Sequence, residues 1–296
     1  MTLPNFIIAG TARSGTTSLY YYLKQHPQIG FPDKKEPKFF SSLSLVFPHN
    51  GVGDHTVDNL VVRSFDSYLK LFQGLGSYKR VGDASSDILY HHKYTAPEIL
   101  RVLGDVPIII CLRNPADRAV SAYNNMLRDQ RETLDFGSAL GAEENRIKNN
   151  WDWMWAYKAG GLYAEQVKTF QETFSQVKVV LFEELAQDPN TIFRGLFDFL
   201  GVDSSIPIDS SIRYGNSGKP KNKIIGFLTN RENSLAFRLR SYAIKLFPRL
   251  VLEWIASRSL TKESIKEVHM DELRDYFRQD IDVLEKLIGR DLGLWK

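Results

Sequence analysis

The residues Gly10-x-x-x-x-Gly15-Thr16-Thr17 have a spacing that does chemistry. They follow the apolar run Phe6-Ile7-Ile8-Ala9, which reads as a short buried parallel strand, and from Thr16 the chain reads as a helix. A glycine loop between a strand and a helix turns backbone N–H groups, at the positive end of the helix dipole, towards one spot. That spot suits a phosphate-like anion. The pattern is that of a phosphate-binding loop with one departure: Thr16 stands where a lysine would reach the terminal phosphates of a nucleoside triphosphate. Arg13 supplies a positive charge from inside the loop instead. The expected ligand is a nucleotide anion other than a triphosphate; the plain alternative is an ordinary strand-to-helix turn.

Other reactive residues cluster in three further places. Lys34-Lys35-Glu36-Pro37-Lys38-Phe39-Phe40 sets one acid among three lysines, and Glu36 is either a general base or the partner of a neighbouring lysine in a surface ion pair. Arg113-Asn114-Pro115 follows the apolar run Pro107–Leu112, with Pro115 at the first turn of a helix and Ser121 one to two turns on. That spacing lets a guanidinium and a hydroxyl meet one phosphate. Ile212 to Lys223 is a basic, glycine-containing loop whose lysines, Lys219 among them, either clamp a phosphate or lie in solvent.

The elements that must bring these together alternate. Strands are expected near 6–9, 79–83, 107–112 and 177–182, with Gln28–Phe31 as a short extended piece. Helices are expected from Thr16, over 65–72, 97–103, 116–129, 161–174, 191–200 and 271–287. This predicts an α/β fold, a three-layer α/β/α arrangement around a central, mainly parallel sheet of the P-loop-like kind, in one domain over 1–296. In such a sheet the loops after the strands gather in one crevice, so the four clusters are expected to converge. Residues 41–62 read as a long excursion with few periodic signals. Trp151, Trp153 and Trp155 read as core, with one or two lining a ring-shaped acceptor as the alternative. Leu235 to Ile255 reads as a helix covering the core, or as one lying on a membrane surface or an acidic partner.

Composition narrows the classes. The 296 residues are 43% hydrophobic and 25% charged, as in a soluble globular protein, and the formal net charge of +3 is too small to argue for nucleic acid. A single cysteine, Cys111, excludes an internal disulfide, and the six histidines show no ligand spacing. No signal-peptide pattern or membrane-length apolar run is present, so a cytoplasmic protein is expected.

The quoted segments resemble the nucleotide-dependent sulfotransferases. GTARSGTTSLYYYLKQHPQI looks like their 5′-phosphosulfate loop, LRNPADRAVSAYNN like their 3′-phosphate motif, and KEPKFF like the segment that carries the catalytic acid in the carbohydrate branch. NSGKPKNK is similar to the late loop that closes over the donor, and DLGLWK to the ending of bacterial members. The resemblance implies the donor 3′-phosphoadenosine 5′-phosphosulfate (PAPS), with 3′-phosphoadenosine 5′-phosphate (PAP) as product and no metal. It implies that Arg13, Ser14, Gly15, Thr16 and Thr17 hold the 5′-phosphosulfate, that Arg113 and Ser121 hold the 3′-phosphate, and that Lys219 closes the lid. Glu36 would be the general base towards a hydroxyl-bearing glycan, lipid or small alcohol, with Arg13 and Lys38 stabilising charge. Arg13 stands where many animal members carry lysine, and arginine donates from a different geometry. Two other readings stay open. A P-loop kinase or nucleotide hydrolase would use Asp83 as its magnesium-binding acid. A binding module for anionic glycans would need no Glu36.

Overall fold

The computed structural model describes residues 2–210 and 265–296, together with the backbone of 219–220 and 260–261. The helix expected over 235–255 and most of the basic loop at 213–223 lie outside the described residues.

Five parallel strands form the centre: β1 (Phe6–Gly10), β2 (Ile29–Gly30), β3 (Arg80–Ala84), β4 (Ile108–Leu112) and β5 (Val177–Leu181), in the order β2-β3-β1-β4-β5. The two central strands β1 and β4 are apolar and buried throughout because both faces of the sheet are covered. Phe6 and Ile8 of β1, with Ile109 and Cys111 of β4, face one way and pack with Leu19, Leu23, Leu196 and Phe197. Ile7, Ala9, Ile108, Ile110 and Leu112 face the other way and pack with Ala96, Ile99, Phe170, Phe277 and Leu284. The first group is closed by α1 (Thr16–Leu23) and, late in the chain, Pro189–Leu200. The second is closed by helices after β3, after β4 and before β5, and by the late helix that carries Phe277 and Leu284. The three-layer α/β/α expectation holds, and Cys111 is a fully buried strand residue as anticipated.

Between β2 and β3 the chain forms three short helices, α2 (Phe39–Ser42), α3 (Asp54–Asp58) and α4 (Phe65–Leu71). The first two fall in or beside the stretch expected to be irregular. After β3 comes α5 (His92–Leu103), which begins before Pro97 rather than at it and carries the proline inside. Then follow α6 (Pro115–Arg128), α7 (Phe136–Lys148), α8 (Tyr163–Thr173), α9 (Phe182–Gln187), α10 (Pro189–Leu200) and, near the end, α11 (Glu267–Ile288). Asn114 starts α6 as the spacing suggested: its Oδ1 accepts from the N–H groups of Ala116 and Asp117, and Pro115 occupies the first turn. The backbone of Lys219–Pro220 pairs antiparallel with Leu260–Thr261 and lies beside α6. No described helix is long and apolar enough to cross a membrane.

Candidate active site

β1 ends at Gly10, and Gly15 enters α1 with φ 92°, where a side chain would be strained and would also press on Phe182. The N–H groups of Thr16, Thr17 and Ser18 open the helix and have no carbonyl four residues back within it. The loop is tied to β4 twice: Thr11 N–H donates to Cys111 O at 2.7 Å, and Cys111 Sγ donates to Ser14 O at 2.6 Å. The sheet therefore holds this loop against the end of the strand that leads into Arg113.

Arg13 crosses to α6. Its Nε donates to Ser121 Oγ at 3.1 Å and its Nη1 to Asn125 Oδ1 at 3.2 Å. Ser121 and Asn125 lie one helical turn apart on one face. Arg113 Nη1 lies 3.4 Å from Arg13 O, and its guanidinium stands over the Phe182 ring, 4.9 Å from the centroid. The cation of the first motif thus sits on the hydroxyl of the second, joining residues expected at the two ends of the donor. Burial, then the charges of Arg128 and Arg113, pull Arg13 down to about 9, with Asp129 and Glu36 opposing. It remains a cation at neutral pH.

Glu36 and Lys38 lie across from this group. Both residues have left-handed backbones, φ 59° and 56°, an unusual state for non-glycine residues. Glu36 Oε1 accepts from Lys35 Nζ at 2.6 Å and from Ser86 Oγ at 3.1 Å. The lysine ion pair is therefore real, although the Glu36 side chain keeps only about a quarter of its exposure (28%). Burial pushes the Glu36 carboxyl up, but the charges of Lys35 and Lys38 and the bonds from Lys35 and Ser86 outweigh it and hold it at about 2. Lys38 is buried, its Nζ 5.6 Å from the ring centroid of Trp153.

Among the described residues, Arg113 Nε is buried with no hydrogen-bond partner, and so is the Thr11 hydroxyl in the loop. Like-charged guanidinium groups crowd beside them. A bisphosphorylated nucleotide fits such a donor set, since it brings acceptor oxygens and negative charge.

The family model described as "Sulfotransferase family" matches residues 4–205, which takes in every element described so far up to α10. The chain belongs to the sulfotransferase family.

A sulfotransferase from Alicyclobacillus acidocaldarius shares 36% identity and a TM-score of 0.78, covering 100% of this chain and 99% of that one. The membrane-associated sulfotransferase kil1 of Dictyostelium discoideum is 35% identical over 42% of this chain and 23% of its own length. The mouse heparan sulfate glucosamine 3-O-sulfotransferase 3A1 is 27% identical over 68% of this chain and 46% of its own length. The chain thus spans less than half of these curated relatives. Mouse sulfotransferase SULT7A1 complexed with PAP shares the fold, at 15% identity and a TM-score of 0.50. The chain shares the P-loop-like α/β fold of this family.

Of the expected site residues, Arg13, Arg113 and Ser121 come together directly, Glu36 and Lys38 form a second group, and Ser14, Gly15, Thr16 and Thr17 make the loop and the helix start between strand and site. The Lys219 side chain lies outside the described residues. Asp83, the magnesium acid of the kinase reading, is wholly buried with one oxygen on Tyr68 and the other on Ser85. Sequence reasoning missed Asn125, Ser86 and Glu183. Asn125 was findable as the residue one turn beyond Ser121. Ser86 was findable as the second hydroxyl after β3. Glu183 accepts from Asn114 N–H at 2.9 Å and had no local signal.

Proposed function

We propose that this sulfotransferase moves a sulfuryl group from PAPS to a hydroxyl of a carbohydrate or related alcohol, with Glu36 as general base. The observation that carries this is the meeting of Arg13 with Ser121 beside Arg113, with Glu36 near enough to act on Arg13 by charge and set with Lys38 in a left-handed turn. The names of the heparan sulfate relatives support a carbohydrate acceptor.

When bound, PAPS supplies the sulfuryl group and a phosphate that can leave with its charge. Arg113 and Ser121 would hold the 3′-phosphate, and the N–H groups at the start of α1, with Ser14, Gly15, Thr16 and Thr17, would hold the other end. Arg13 would bridge the two. Lys219 would close over the donor. Lys38, desolvated beside Trp153, supplies a fixed positive charge where negative charge grows. Glu36 is ionised at neutral pH and takes the acceptor's proton. At about 2 it is a weak base in the ligand-free protein, because Lys35 and Lys38 hold it down. The negative charge of a bound donor near these residues would offset the two ammonium groups and raise the basicity of Glu36.

Glu36→Gln is expected to lower turnover roughly 10²–10⁴-fold while PAP affinity, measured by calorimetry, stays as in the wild type. Wild-type turnover in the variant would remove Glu36 from this role. In the same calorimeter, without magnesium, PAP is expected to bind far more tightly than ATP or 5′-AMP. Stronger binding of ATP, enhanced by magnesium, would move the search to phosphoryl transfer.

A further inference from the structure

Asp83, Asp87, Ser41 and Ser85 are almost fully buried and take no part in the steps above. They converge on one residue. Lys38 N–H donates to Ser85 Oγ at 3.1 Å, and Ser85 in turn donates to Asp83 Oδ1 at 2.9 Å. On the other side of the same residue, Ser41 Oγ lies 3.0 Å from Lys38 O and 2.5 Å from Asp87 Oδ2. Asp83 Oδ2 is held by Tyr68 OH at 2.7 Å, and Tyr68 stacks on Phe39, whose centroid is 4.5 Å away. The preceding carbonyl, Pro37 O, accepts from Val62 N–H at 3.0 Å.

The Lys38 residue is thus bracketed, N–H and carbonyl, by two serine–aspartate pairs. Its φ of 56° and the 59° of Glu36 are conformations that a free chain of these residues leaves. A left-handed pair costs energy and persists only where the surroundings over-determine it. The proton count differs between the pairs: Ser41 has one proton, so it donates to Lys38 O and holds Asp87 Oδ2 as well only when that acid carries a proton to donate back. Ser85 has one proton, which goes to Asp83, and offers a lone pair to Lys38 N–H. Burial raises both acids, Asp83 to about 6, so neither is placed there cheaply.

We propose that Ser85–Asp83 and Ser41–Asp87 are positioning pairs that clamp the Lys38 peptide and thereby fix the angle between the Glu36 carboxylate and the Lys38 ammonium. The inference rests on the reading of Glu36 and Lys38 given above. Asp83 thereby gains a role other than metal binding.

Ser85→Ala, Asp83→Asn and Ser85→Thr test it by hydrogen–deuterium exchange and by kinetics. In Ser85→Ala, exchange in a peptide covering 34–40 is expected to rise roughly fivefold, the loss of about one hydrogen bond, with other peptides unchanged. Sulfuryl transfer from radiolabelled PAPS to heparosan and to p-nitrophenyl glycosides should lose roughly 10–100-fold in kcat, with KM for PAPS and PAP affinity within about twofold. Asp83→Asn should show the same split more weakly, and Ser85→Thr, which keeps the hydroxyl, should restore kcat. Unchanged exchange at 34–40 in Ser85→Ala overturns the clamp, as does wild-type kcat. Loss of turnover in Glu36→Gln with full turnover in Ser85→Ala would sink the clamp and spare the base. Full turnover in Glu36→Gln would sink the base itself.

Discussion

Two arginine-rich regions of this molecule differ in how their charge is answered. Around Asp54 and Glu132 the guanidinium groups meet carboxylates. Arg131 Nη2 donates to Asp54 Oδ1, and Arg146 grips Glu132 with bonds of 2.6 and 3.0 Å. Trp155 lies over both arginines and donates its own Nε1 to Asp54 at 3.0 Å, while Tyr157 OH fills a place on Glu132. Around Arg13 three guanidinium groups, those of Arg13, Arg113 and Arg128, crowd together. The nearby acid Asp129 pairs with Arg128, and Glu36 acts from further off. The first region is buried, aromatic and near neutral; it holds the chain between α3 and α7 in place. Even with Asp117 3.9 Å from Arg113, the second keeps a positive surplus among the described residues. Paired charge marks what the fold needs for itself, and surplus charge marks where something else is to bind.

The comparison can be broken at several points. The largest effect is expected at the paired end. Asp54→Ala strands Arg131 in the interior and should cost about 3–5 kcal/mol in urea denaturation. A loss below about 1 kcal/mol would mean that the pair is dispensable to the fold. At the surplus end, Arg113→Ala should weaken PAP binding roughly 10–100-fold, or about 1.5–3 kcal/mol, by calorimetry. Its melting temperature should hold or rise, because a like charge has been removed. A marked drop in stability without loss of PAP affinity would erase the distinction. The smallest effect concerns Asp83, a buried acid answered by two hydroxyls instead of a guanidinium. Burial, then repulsion from Asp87 and Glu36, lifts it from 3.8 to about 6 against the bonds from Tyr68 and Ser85. The folded chain therefore holds this proton more tightly than the unfolded one. Its contribution to stability is full below 3.8 and is lost as pH rises through about 6. Lowering the pH from about 7 to about 5 should add about 1 kcal/mol from this group, a gain absent in Asp83→Asn.

The parts read correctly from sequence are those where local signals and tertiary demands agree. The apolar runs of β1 and β4, the glycines at 10 and 15, and Asn114-Pro115 each state their structure within a few residues. The α7 helix went unread because its buried face includes Glu143 and Arg146 beside Phe136, Ala139 and Leu140, so its apolar period is broken. Their pairing with the N–H groups of Lys158 and Ala159 and with Glu132 lies in another part of the chain. The stretch from Ser41 to Val62 was opaque for the same reason. Its turns are held by the carboxylates of Asp54 and Asp58, through Gly51 N–H, Asp152 N–H and His49, and not by an apolar stripe. Tryptophans were weighed as core or acceptor wall; Trp155 is buried on Asp54, while Trp153 is buried beside Lys38, at the edge of both roles. The meeting of Arg13 with Ser121 needed coordinates, since no spacing says which way a guanidinium turns.

The place of β1 in the sheet has a consequence for how the molecule is made. Of the five strands β1 is made before the others, yet it lies between β3 and β4, pairing Phe6 with Gly82 and Ile7 with Ile108. Neither neighbour exists until long after β1 has been synthesised, so its hydrogen bonds must wait for distant chain. During that wait the glycine loop has no sheet behind it and Arg13 has no α6 to reach. A nascent chain halted before β4 would carry an intact anion-binding sequence and no anion-binding site. The meeting of Arg13 with Ser121 therefore waits for α6, which follows β4 in the chain.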